Sequence, residues 1–185
     1  MNRNRTGRHG GFTLIELVIV ITIIGILAAV AMPRFVALQR DARIAKLNAA
    51  RGSVGAAAAL IHGAYLARQK IADTVGCAGV PANVANNVTT LCAENGLIAI
   101  NLGYPASTAL GAAPPGIVEA AGLVSGYNPD ATALAAQGYL VVPAPGVSTV
   151  FEINDAPTPA TCAFTYTDAT ATSPPLISVL TTTGC

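Results

Sequence analysis

The chain has no tryptophan, two histidines, four cysteines and little charge: Asp, Glu, Lys and Arg together make up 10% of its 185 residues. Each shortage narrows the chemistry. His9 and His62 have no second histidine or neighbouring cysteine, and the cysteines at 77, 92, 162 and 185 form no close pair, so the ligand spacing of a zinc site is missing. Past Lys70 there is no basic residue at all. A segment without Lys or Arg offers nothing to a phosphate backbone, which argues against nucleic acid as a partner of residues 71–185. The same stretch lacks any Ser-His-Asp or Cys-His combination. Paired acids remain the minimal hydrolytic device, but Asp155 and Asp168 stand in no motif, and the scattered acids read as solvated surface. The sequence therefore predicts no enzyme, no metal and no cofactor.

What is present is unevenly distributed. All ten Lys and Arg lie between Arg3 and Lys70, whereas residues 71–185 carry seven acids. Residues 1–11 (MNRNRTGRHGG) are basic, and residues 12–32 (FTLIELVIVITIIGILAAVAM) follow with a single charge, Glu16. At about 1.5 Å per residue the apolar run forms a helix about 30 Å long, the thickness of a bilayer core. Its basic flank belongs in the cytoplasm, which places the remainder outside. A secretory signal has a shorter apolar region ending in small residues, a pattern that Ala28, Ala29 and Ala31 imitate. A plain single-span anchor fits the length but leaves Glu16 unexplained, because a carboxylate at membrane depth costs a few kcal/mol and calls for a partner. An even cysteine count agrees with an oxidising compartment. Three disulfide pairings are open. The sequential one, Cys77 with Cys92 and Cys162 with Cys185, closes the shortest loops, each worth about 3 kcal/mol by the chain-entropy argument.

The run Gly11-Phe12-Thr13-Leu14-Ile15-Glu16, with a basic leader before it and the apolar stretch after it, resembles the class III signal of type IV pilins and type II secretion pseudopilins. The resemblance implies that a prepilin peptidase cuts between Gly11 and Phe12, that Phe12 becomes N-methylated, and that Glu16 neutralises the N-terminus of an adjoining subunit during assembly. Position 16 lies one helical turn from the Phe12 amine, so a pair within one helix is the alternative. The resemblance further implies a prepilin crossing the inner membrane once, its C-terminal part periplasmic, which the pilus assembly machinery polymerises into an extracellular helical homopolymer. Gly25 and Pro33 punctuate the helix. Proline removes a hydrogen bond and crowds the carbonyl four residues earlier, so a bend is expected between Ala29 and Pro33. Filaments of the family can lose helix between equivalent glycine and proline positions, a simple kink being the alternative.

Beyond Pro33 the apolar pattern becomes periodic. Ile44, Leu47, Val54, Ala58, Ile61 and Tyr65 fall on one helical face, and the helix is expected to reach about Gln69. His62 reads as a rim or packing residue. Residues 34–70 hold seven bases and only Asp41, which suggests that stem bases meet head acids of neighbouring subunits; solvated faces are the simpler reading, since exposed pairs contribute little. Residues 76–88 carry loop composition. Residues 138–142, 149–153, 161–167 and 176–181 are rich in Val, Ile, Thr, Phe and Tyr and read as four antiparallel strands. The expected fold is α+β, a long helix on a small sheet, divided into a cleaved leader (1–11), a transmembrane and filament-core helix (12–32), an amphipathic stem (33–70) and a globular head (71–185).

The tail from Cys162 to Cys185, with its turn at Pro174 and Pro175, resembles the disulfide-bounded C-terminal loop of type IVa pilins. Together with Gly103-Tyr104-Pro105 it looks most like the mannose-sensitive haemagglutinin branch. The resemblance implies a pilus subunit for adhesion or surface behaviour. The alternative within the family is a type II secretion pseudopilin. Its major form typically has a calcium site near the C-terminus, and the acids here are not clustered for one.

Overall fold

The computed structural model describes residues 12–77, 84–94 and 96–185. The chain separates into two compact units, one ending at Arg40 and the other Asp41–Cys185. One helix, α1 (Leu14–Arg68), contributes to both. The helix is continuous through Gly25 and Pro33.

In the first unit α1 exposes large apolar side chains all round, from Leu14 and Ile15 through Ile26 to Leu38. A helix apolar on every side cannot satisfy itself in water; such a surface belongs in lipid or against other helices. By length and composition this helix is able to cross a membrane.

In the second unit α1 becomes one-sided. Leu47, Ala50, Val54, Ala57, Ala58 and Ile61 are buried, while Ile44 and Tyr65, expected on the same face, are half-buried. The buried face packs on a four-stranded antiparallel sheet of order β4-β5-β6-β7, comprising Tyr139–Ala144, Ser148–Ile153, Ala163–Thr167 and Leu176–Ile177. Alternation sets the faces: Tyr139 and Val141 point inward while Leu140 and Val142 point out. Across the ladder Phe151 pairs with Phe164, their rings stacked at 4.9 Å, and with Tyr166 they are among the largest fully buried side chains.

The final strand is shorter than its composition suggests. After Ile177 the Ser178 hydroxyl accepts the Thr165 N–H at 2.9 Å, taking a place in the ladder that a backbone carbonyl would hold. Pairing resumes only as the isolated bridge Ala163↔Thr181.

A second sheet has no counterpart in the sequence reading. Strands β1 (Thr90–Ala93), β2 (Gly96–Asn101) and β3 (Tyr104–Pro105) form an antiparallel meander. Leu91, Ile98 and Ile100 pack with Ile61 of α1 in a smaller cluster. Because β2 is covered on both faces, GLIAIN lacks the alternation that marks a half-exposed strand. Asn101 pairs directly with Tyr104, so Leu102-Gly103 is a two-residue turn with both φ values positive, 52° and 82°, as such hairpins require. Gly103 is further constrained because a Cβ there would overlap the Tyr65 ring. Two short helices, α2 (Ile117–Ala120) and α3 (Ala131–Ala136), join the sheets. The architecture is the α+β arrangement expected of the type IV pilin fold. Of residues 76–88, those described form no strand.

Candidate functional site

The start of α1 is built by a reciprocal cap. Thr13 precedes the first helical residue, and its hydroxyl faces the Glu16 N–H at 3.3 Å. Glu16 Oε2 in turn accepts the Thr13 N–H and the Thr13 hydroxyl, each at 2.8 Å. This is the capping box of a Thr-x-x-Glu sequence, which satisfies orphan donors at a helix start. It also gives Glu16 a partner within its own chain that the sequence reading overlooked, although Thr13-Leu14-Ile15-Glu16 carried the signal. Phe12 is 90% exposed. Gly11, the other side of the expected cut, lies outside the described residues.

The stem bases are largely spoken for by their own head. Arg43 Nη1 donates to the Cys185 carbonyl at 3.1 Å, and its Nε stands 3.5 Å from Asp155, close enough for ion pairing while donating no hydrogen bond. Lys46 donates to the Gln137 carbonyl and lies over the Tyr139 ring, 4.6 Å from its centroid. Arg51 donates to the Ser178 carbonyl at 2.9 Å, and Arg68 pairs with Asp73 at 3.5 Å. Four of the bases expected to face neighbours or solvent therefore engage the chain itself.

The acids need a correction as well. Read as solvated surface, Glu119, Glu152 and Asp168 are instead buried. Asp168 accepts the Ser107 N–H at 2.9 and 3.0 Å and the Ser107 hydroxyl at 2.6 Å. Thr149 donates to that same hydroxyl oxygen at 3.0 Å. The carboxylate thus ties the chain after β3 to the end of β6, and charge-assisted bonds of this kind offset its desolvation. Glu119 lies in α2 and accepts the Asn128 N–H at 2.7 Å. Burial pushes its carboxyl above the usual range, and that single hydrogen bond only partly opposes the shift. Tyr166 donates to the Pro105 carbonyl at 2.7 Å, and its buried phenol is shifted upward.

Cys77 joins Cys92 and Cys162 joins Cys185, the sequential pairing among the three open to the sequence. The first bridge ties the chain after α1 to β1, the second ties the tail to the start of β6. His62 stacks on Tyr104 with ring centroids 4.0 Å apart and presents Nδ1 to the Gly103 carbonyl at 3.2 Å, holding the β2–β3 turn against α1. Among the described residues no group of three His, Cys, Asp or Glu side chains is placed to hold a metal ion.

The apolar helix is thus left uncovered and begins with a Thr-x-x-Glu cap. Residues 7–32 match the prokaryotic N-terminal methylation motif. Against curated proteins, the chain is 55% identical over 53 residues to the type IV narrow pilus major component of Thermus thermophilus, covering 29% of this chain and 46% of that protein. It is 66% identical over 32 residues to the type IV major pilin of Myxococcus xanthus, covering 17% of this chain and 14% of that protein. The aligned parts therefore span less than half the length of either relative. No solved structure matches the chain. Over these stretches the chain is similar to type IV pilins.

Proposed function

We propose that this chain is the structural subunit of a type IV pilus. Residues 12–32 hold the precursor in the inner membrane as a single span, with residues 33–70 as stem and 71–185 as a periplasmic head. Prepilin peptidase removes residues 1–11 at the Gly11–Phe12 bond and methylates Phe12. The assembly machinery then draws subunits into a helical homopolymer displayed outside the cell, where it serves adhesion or surface behaviour. One observation carries this reading: the methylation motif continues directly into a helix whose apolar side chains are left uncovered on every face. Lipid covers such a surface before assembly and other copies cover it afterwards.

The same N-terminus would serve a type II secretion pseudopilin. One relative is named a pilus component and the other a major pilin, and the Cys162–Cys185 tail resembles that of type IVa pilins, so the pilus is the reading we adopt. The tail and the Leu102-Gly103 turn that opens Gly103-Tyr104-Pro105 favour the mannose-sensitive haemagglutinin branch within it. Filaments sheared from the cell surface test the whole scheme by intact mass and N-terminal sequencing. The expected subunit begins at methylated Phe12 and contains two disulfides. A mature chain beginning at Met1 or after Ala31, or a chain confined to the envelope, would overturn the proposal.

A further inference from the structure

Once the internal ties are subtracted, a charge imbalance remains. Arg34 is exposed, and its helical neighbours three and four residues away, Val30, Ala31, Ala37 and Leu38, include no acid that could pair with it. The one acid among residues 12–40, Glu16, lies 18 positions earlier, about 27 Å along a helix, and is held by Thr13. In the head the converse holds. Glu94 is exposed and has no partner among the described residues, while Glu119 has one oxygen bonded to Asn128 and none to the other. Both acids line the same half-open cavity of about 250 Å³, whose remaining walls include Leu60, Ile61, Leu91 and Ile98.

Alongside this cavity runs a face of α1 that carries almost no side chain. Ala49, Gly52, Ala56, Ala59 and Gly63 recur at helical spacing and are all exposed, and a Cβ added at Gly52 or Gly63 meets nothing within 4 Å. Leu60, 73% exposed, stands between that face and the cavity. Small residues at such spacing let a second helix approach closely. An apolar groove ending in two carboxylates suits one side chain above others: arginine, which lays its aliphatic stem along apolar surface and engages acids with a planar fork.

Resting on the pilus reading above, we propose that this face seats the N-terminal helix of a second copy of the chain. The neighbour's Arg34 then lies along Leu60, with its guanidinium between Glu94 and Glu119. Charge complementarity selects the occupant, because each side supplies what the other lacks, and the contact covers apolar helix that the single chain leaves bare.

Charge reversal tests it in the full-length chain, expressed in cells whose own pilin gene is deleted. Arg34→Glu and Glu94→Arg are each expected to lower the yield of sheared filaments at least tenfold while membrane-held subunit stays constant, and the two together are expected to recover yield to within threefold of the unaltered chain. A photo-crosslinking residue at position 60 of otherwise unaltered filaments is expected to capture the peptide beginning at Phe35 or ending at Arg34. Filaments indifferent to both single reversals, a double reversal no better than the worse single one, or capture of head peptides alone would each overturn the contact. Should the unaltered chain form no filaments, the pilus reading itself fails and the contact falls with it.

Discussion

Glu119 shows how far one side chain's behaviour depends on what surrounds it. Only 3% of the residue is exposed, one N–H serves its carboxylate, and burial raises its pKa. A carboxyl whose folded value lies above its unfolded one favours the fold when protonated. That contribution is fully present below the ordinary glutamate range and is lost as pH rises through the folded value. Glu119→Gln fixes the neutral form and keeps an oxygen for Asn128. Its melting temperature should exceed that of the unaltered chain at pH 7, with the gap closing toward pH 4. Circular dichroism melts in detergent at both pH values decide the matter, and an equal gap at both would contradict it. Asp168 is a buried acid whose oxygens accept both the Ser107 N–H and the Ser107 hydroxyl. Asp168→Ala strands the Ser107 N–H and hydroxyl and should cost about 1–3 kcal/mol each way the site cannot rehydrate; Asp168→Asn, which retains an acceptor, should cost less in the same denaturant titration. Neither environment was legible in the sequence. The Ser107 partner lies 61 positions from Asp168, and nothing local distinguishes a buried acid from a solvated one. By contrast, the Thr13–Glu16 cap is local, and Thr-x-x-Glu ahead of an apolar run is its signature in the sequence itself.

Elements were legible where one face meets the core and the other meets water. The Val, Ile, Thr, Phe and Tyr content of 138–142 and 149–153 announces β4 and β5, and the 3.6-residue pattern of Leu47, Val54 and Ile61 announces the buried face of α1. The meander β1–β3 was not, because a strand covered on both sides loses its alternation and β3 has only two residues. Side-chain substitution in the ladder by Ser178 likewise leaves no compositional trace. The staple on the tail has a measurable value: the 23-residue separation closed by Cys162–Cys185 should contribute about 3 kcal/mol through the unfolded chain. Replacing both cysteines by serine is expected to lower stability by that amount in urea titration under oxidising conditions. An effect below about 1 kcal/mol would show that the hydrogen bonds at Gly184 and Thr158 suffice to hold the tail.

At the scale of the whole molecule, the cap that Glu16 makes and the assembly role that the family resemblance implies for it are separable demands. Glu16→Gln retains an oxygen able to complete the capping box but carries no charge for the methylated amine of another subunit. Subunit should therefore accumulate in the membrane at ordinary levels, still cleaved, while sheared filament falls at least tenfold. Thr13→Ala should do the reverse in kind, weakening the cap by about 1 kcal/mol and leaving the charge. If Glu16→Gln assembled normally, the carboxylate would matter only to the helix start.

On the pilus reading proposed above, the subunit must also refuse every other way of joining copies. The outer strand of the larger sheet, β4, has a neighbour on one side only, and an open strand edge is a template on which further chains can zip. Pro143 sits within that strand and has no N–H to offer a newcomer. The head is thereby discouraged from growing ribbons through its sheet, and under the proposed scheme the helices are left as the route by which one subunit finds the next.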